Sequence, residues 1–190
     1  MDSLRLFAAI HIVPDENFLM TYEGLKQALD YNIIKWVDPN NIHVTLRFFG
    51  ETNPEEVPVI SQALSTAAQT TKPFTLSLEK TGIFGSKYDP KVIWFGIHEN
   101  PYLKNLHSDI GKCLEEVEYY GDRQNFVPHL TIARIKEIKD KRFFQAIIDR
   151  FTEVKLLKCE VNEFSLYKSE LKKEGPIHTV IETFKLGELK

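Results

Sequence analysis

Cysteine is scarce. Cys113 and Cys159 are the only two, they lie far apart, and neither belongs to a Cys-x-x-Cys pair. A disulfide scaffold is excluded, and two reduced thiols in a cytoplasmic protein are expected. Long apolar runs are absent too, and nothing approaches the ~18 residues of a membrane span. The first apolar stretch, Arg5 to Ile10, has neither a basic leader nor a small-residue cleavage site, so no secretory leader is expected. Positive charge is not in excess: 24 Lys and Arg stand against 27 Asp and Glu, spread along the chain. That excludes nucleic-acid binding by bulk charge but not local recognition of one phosphate. No Gly-x-x-x-x-Gly-Lys loop is present, which argues against a P-loop nucleotidase. What remains is ordinary globular composition, 43% apolar and 27% charged over 190 residues, ample for a core and too apolar for disorder.

An internal period organises the chain. His43 opens His43-Val44-Thr45-Leu46, and His129 opens His129-Leu130-Thr131-Ile132, 86 residues later. The same offset lays Arg5–Ile10 on Lys91–Gly96, and that segment on Ile177–Glu182. It lays Phe74–Leu78 near Glu160–Phe164. These β-branched and aromatic segments predict strands. Between them lie helical spacings: Phe18, Tyr22, Leu25, Leu29; Val57, Ile60, Leu64, Ala67; Leu103, Leu106, Ile110, Leu114; Phe144, Ile147, Ile148, Phe151. Asn53-Pro54-Glu55-Glu56 and Asn100-Pro101 carry a capping Asn and an early Pro, both helix-start signals.

Together these features predict an α+β fold over 1–190. It has two pseudo-symmetric lobes, each an antiparallel sheet backed by helices, around a central cleft. Gly82 to Pro90 and Lys168 to Pro176 are expected to be loops, the first overhanging the cleft.

In a strand, alternate residues share a face. His43, Thr45, Arg47 and Phe49 are then expected on one face and Val44, Leu46 and Phe48 on the other. His129 and Thr131 form the matching polar stripe, opposite Leu130 and Ile132. A pseudo-twofold brings the two polar stripes together. Paired imidazoles suit general acid–base chemistry near neutrality, since one form accepts a proton and the other donates it. Thr hydroxyls and an Arg hold an oxyanion without metal. Phosphodiester hydrolysis fits this set: one His deprotonates water and the other protonates the departing ribose oxygen. A metal site needs three or four converging ligands, and the pair supplies two, so neither metal nor cofactor is expected. His11, His98, His107 and His178 read as scattered residues. Arg47 and Phe49 have equal claims to substrate contact and to ordinary surface packing. Lys139–Arg142 reads as a solvated helix start.

His43–Glu51 and His129–Arg134 resemble the two signature motifs of the 2H (two-histidine) phosphoesterases, most closely the bacterial and archaeal RNA 2′,3′-cyclic phosphodiesterases, formerly 2′-5′ RNA ligases. Leu4–Ile10, Trp36-Val37, Asn41-Ile42, Val92–Trp94 and Leu166–Leu171 extend the likeness. The resemblance implies a bilobal fold with both motifs in the cleft. It implies His43 as proton donor, His129 as proton acceptor, and Thr45, Thr131 and Arg134 as phosphate ligands. Strand parity alone sets Arg134 on the Leu130 face, so a bulge or strand end must turn it toward His129. Where the family often has Tyr after Gly near the C-terminus, this chain has Gly175-Pro176-Ile177-His178.

The activity implied is metal-independent opening of RNA 2′,3′-cyclic phosphates to 2′-phosphomonoesters. The partners are RNA with such ends or small cyclic nucleotides, with no membrane and no obligate protein partner. The alternatives are 2′-5′ ligation or cleavage in the same site, a non-catalytic nucleotide-binding module, and an interaction domain in which the doubled motif is accidental.

Overall fold

The structure, a computed structural model, describes residues 3–86, 88–120, 125–172 and 175–187. Helix starts follow local chemistry. Asp15 accepts from the Phe18 amide at 2.8 Å and opens α1, Glu16–Ala28. Asn53 and Glu56 close a capping box in the short turn that leads into α2, Val57–Thr70. Asn100 caps α3, Pro101–Glu116, with Pro101 at its first turn. Asp140 accepts from the Arg142 and Phe143 amides and opens α4, Lys141–Arg150. Each cap satisfies amides that the helix itself leaves unpaired.

The strands are β1 (Leu4–His11), β2 (Ile33–Trp36), β3 (His43–Thr52), β4 (Phe74–Ser86), β5 (Asp89–Ile97), β6 (His129–Glu137), β7 (Lys155–Val161), β8 (Glu163–Leu171) and β9 (Pro176–Lys185). They form one antiparallel sheet in the order β7-β4-β5-β6-β3-β1-β8-β9, with β2 alongside β6. The two expected sheets are thus two halves of one, joined at β3–β6 by the single pair Val44–Leu130. The α+β class and paired layout stand.

The lobes are not the two halves of the sequence. Phe18 of α1 meets Phe95 of β5 ring to ring at 5.2 Å, and Asn17 donates to the Leu156 carbonyl of β7. Helix α1 therefore backs the β7-β4-β5-β6 half, although it follows β1 of the other half; α4 also packs there, on β4. Helices α2 and α3 pack together behind β3-β1-β8-β9. The third copy of the repeat does form a strand, β9, but it sits at the outer edge because β1 occupies the place beside β3.

Both expected loops are hairpins instead. Gly82, Ile83 and Phe84 pair with Trp94, Ile93 and Val92, so β4 and β5 continue to a tight turn at Ser86–Asp89, where Lys87 lies outside the described residues. Leu171 pairs with Pro176 in the same way, and Lys173 and Glu174 lie outside the described residues. Strand pairing on both sides overrode the Gly and Pro signals. Among the described residues no helix is long and apolar enough to cross a membrane.

Candidate active site

The junction of the half-sheets positions the motif residues. Val44 and Leu130 are fully buried toward the helices. One step along this antiparallel register, His43 comes opposite Thr131 and Thr45 opposite His129. The four polar side chains therefore share the open face of the sheet, and the two histidines are diagonal neighbours. Such neighbours stand about 7–8 Å apart.

Both imidazoles are held alike. His43 Nδ1 lies 2.8 Å from the Asn41 carbonyl oxygen, and His129 Nδ1 lies 2.7 Å from that of Val127. A carbonyl only accepts, so Nδ1 donates in each case, and Nε2 carries the lone pair in the neutral ring. The residue two before each histidine thus fixes the tautomer that leaves Nε2 for substrate.

Their surroundings differ. His43 lies against Phe7 at 5.0 Å and His178 at 5.3 Å between ring centroids, and Phe7 stacks on Tyr167 at 5.1 Å. Burial pushes the His43 imidazolium down to about 4, against the pull of the Asn41 carbonyl; His178, His11 and His129 add further downward shifts. His129 has Phe84 edge-on at 4.6 Å. Burial also lowers His178. Sequence reading set His178 aside as scattered, and the structure brings it into contact with a motif histidine. Its only signal was its place in the segment where the family often has Tyr after Gly. His11 is the register partner of His43, and it lines a cavity of about 480 Å³ with Val13, Ser165, Tyr167, Val180 and Thr183 among its walls.

Two bulges reset strand parity, and they obey the pseudo-twofold. On β3, Thr45 pairs with Ala9 but Arg47 pairs with Ala8, so Leu46 is extra. On β6, Thr131 pairs with Trp94 but Ala133 pairs with Ile93, so Ile132 is extra. Ile132 and Ala133 are both fully buried, as a bulge permits. The next residue, Arg134, then returns to the histidine face. The cross-strand pairs agree: Phe84 touches His129, Phe84 pairs with Val92, and Val92 pairs with Arg134. Arg134 is exposed there. The parity that set it on the Leu130 face is corrected by this bulge.

The same device moves Arg47 and Phe49 away. Arg47 shares the face of buried Ala8 and adds to the lowering of the His107 imidazolium, which burial dominates; Phe49 packs on Tyr119 at 5.7 Å. Phe48, half-exposed, takes the cleft face instead, with the Arg5 guanidinium 4.8 Å from its ring. Burial raises the Cys159 thiol to about 11 and raises Cys113 as well.

Comparison with known proteins identifies the family and the fold. A family model described as the 2′-5′ RNA ligase superfamily matches residues 14–173. An RNA 2′,3′-cyclic phosphodiesterase of Aquifex aeolicus is 32% identical over 168 residues, covering 87% of this chain and 89% of that protein. The crystal structure of TT0787 of Thermus thermophilus superposes with a TM-score of 0.79 at 30% identity, covering 96% and 98% of the two chains. That of E. coli LigT complexed with 3′-AMP gives 0.76 at 22% identity, covering 98% and 99%, a likeness of fold.

Proposed function

The chain belongs to the 2′-5′ RNA ligase superfamily, and from that membership we propose that it hydrolyses RNA 2′,3′-cyclic phosphate ends, leaving a 2′-phosphate. The observation that carries the reading is the pair of imidazoles on one face, each tethered through Nδ1 to a carbonyl two residues upstream. Two proton-transfer groups with Nε2 presented to one small space suit a reaction that needs a base and an acid together. A binding module needs neither. The relatives named RNA 2′,3′-cyclic phosphodiesterase support the substrate class.

In this reading His129 Nε2 takes a proton from the attacking water. His43 Nε2 gives one to the departing ribose 3′ oxygen, in line across phosphorus. Thr45, Thr131 and Arg134 hold the non-bridging oxygens. Burial keeps free His43 neutral at pH 7. The phosphodiester anion, seated beside it, offsets that penalty and brings the proton on. An imidazolium held in an apolar ring cluster is then a strong acid toward an alkoxide. No metal enters the scheme; among the described residues no three His, Cys, Asp or Glu side chains form a metal-sized cluster.

The test is turnover of an oligonucleotide ending in a 2′,3′-cyclic phosphate, in excess chelator, with phosphorus NMR of the product. A 2′-phosphate is expected. A sole 3′-phosphate product reverses the pose, and turnover that disappears in chelator and returns with Zn²⁺ or Mn²⁺ rejects the metal-independent route.

A further inference from the structure

We propose that Lys35, beside Arg134, binds the RNA phosphate that adjoins the cyclic end, so that the site distinguishes an RNA chain from a cyclic mononucleotide. This rests on the reading of the cleft as an RNA cyclic phosphodiesterase site. Strand β2 places Lys35. The neighbouring Trp36 packs edge-to-face on Tyr22 of α1 at 5.5 Å, which fixes Trp36 on the helix side. Lys35 therefore points to the open face. Its register partner is Arg134, which the β6 bulge turns to that same face.

Two cations directly opposite each other on one face repel, and a sheet ordinarily avoids the arrangement. Here nothing offsets it: among the described residues neither Lys35 nor Arg134 forms an ion pair. The contrast with the other lobe is direct. The pseudo-symmetric counterpart of Arg134 is Phe48, and the cation over it, Arg5, has Glu51 at 3.9 Å. Among the described residues, one lobe matches its positive charge and the other leaves two charges unmatched, beside His129 and Thr131. An anion between or beside them removes the repulsion.

Reach separates the two roles. Lys35 Cε and Nζ both stand 3.7 Å from where a Cβ on Gly175 would lie, so the side chain crosses toward the β8–β9 hairpin of the opposite lobe. It stands one strand farther from the β5–β6 ladder than Arg134. Arg134, on the motif strand, keeps the scissile phosphate. The Lys35 ammonium, a compact charge on a flexible stem, meets the next phosphodiester, which only a chain possesses. With a net charge of −3 on the whole protein, this local pair rather than bulk attraction engages the RNA body.

The experiment compares wild type, Lys35→Gln and Lys35→Arg on two substrates, a cyclic-phosphate-ended oligoribonucleotide and a 2′,3′-cyclic mononucleotide. In Lys35→Gln the ratio of kcat/KM, oligonucleotide over mononucleotide, should fall by up to about fivefold, the size of one exposed charge contact. The loss should lie in KM, and the salt slope of 1/KM should flatten by about 0.7. Lys35→Arg should retain the ratio. An unchanged ratio and slope in Lys35→Gln overturns the proposal, as does equal loss on both substrates. If wild type turns over neither substrate, the functional reading fails separately. Anisotropy with a 3′-phosphate-ended oligoribonucleotide then decides the subsite: weaker, less salt-sensitive binding by Lys35→Gln sustains it, and identical binding rejects it.

Discussion

The ring of His178 meets that of His43 edge toward face, 5.3 Å between centroids, and both pack on Phe7. The contact joins the last hairpin of the fold to the first motif and shuts one side of His43 off from water. Replacing His178 by Ala readmits water and removes a neighbouring positive charge, and both changes favour the His43 cation. Titration followed by NMR should place the His43 midpoint near 4 in the wild type and higher in the variant. An unmoved midpoint would assign the burial to Phe7 and the strand alone.

That depressed midpoint is also a statement about stability. His43 titrates near 6.5 in the unfolded chain and near 4 when folded. Above pH 6.5 both states are neutral and the contribution to stability is whole. As pH falls from 6.5 to 4, the unfolded chain binds a proton that the folded chain refuses, so stability is lost. The loss is about 3 kcal/mol from this residue. Urea unfolding of wild type and His43→Gln at pH 7 and pH 4 isolates it. The gap between the two proteins should shift by about that amount in favour of the variant at low pH.

Arg134 should matter to turnover and not to folding. The bulge at Ile132 aims it into the cleft, and it is exposed. Arg134→Ala should cost about 10²-fold in kcat/KM, the order seen for one preorganised oxyanion donor. Arg134→Lys should recover part of it, since a lysine lacks the planar fork. Thermal melting should hold. A variant that melts early while turning over normally would mean that the side chain packs with the helices after all.

Much of this was legible beforehand, and the reasons are local. Caps at Asn53 and Asn100 are short-range hydrogen bonds written in adjacent residues. The His-x-Thr stripe follows from period-two alternation over three residues. What failed was parity carried farther. Beyond Thr45 and Thr131 one inserted residue reverses every later face, and nothing in Leu46 or Ile132 marks the insertion. Pairing partners decide it, and they are distant in sequence. The same holds for His178, whose approach to His43 depends on β9 returning beside β8. The glycines of β4 signalled a turn, yet Gly82 serves close packing, because its register partner Trp94 lies over it.

That close packing gives a further expectation. A Cβ on Gly82 would collide with the Trp94 indole. Gly82→Ala should destabilise the protein by about 1–3 kcal/mol, as overpacked sites do. Trp94 is also the register partner of Thr131, so the displaced indole should disturb the second motif. Denaturant melts and turnover of the same preparation check both. A variant with wild-type stability would show that the indole rotates away freely.

The strongest demand falls on the two histidines together. Each should lose about 10²–10⁴-fold in kcat when replaced by Ala, the value of one proton transfer. If they act as one base–acid unit, removing the second after the first costs little more. The double variant should then resemble the slower single variant rather than the product of the two losses. Folding should survive, because the buried halves of both strands are Val44 and Leu130, which are untouched. Removal of His43 also lifts the penalty of burying a polar ring, so His43→Ala should melt no earlier than His129→Ala at acid pH. Single-turnover rates on the cyclic-phosphate oligonucleotide for all four proteins complete the cycle. Strictly multiplicative losses would divide the histidines into independent roles, and a folded His129→Ala protein with wild-type turnover would remove it from the reaction altogether.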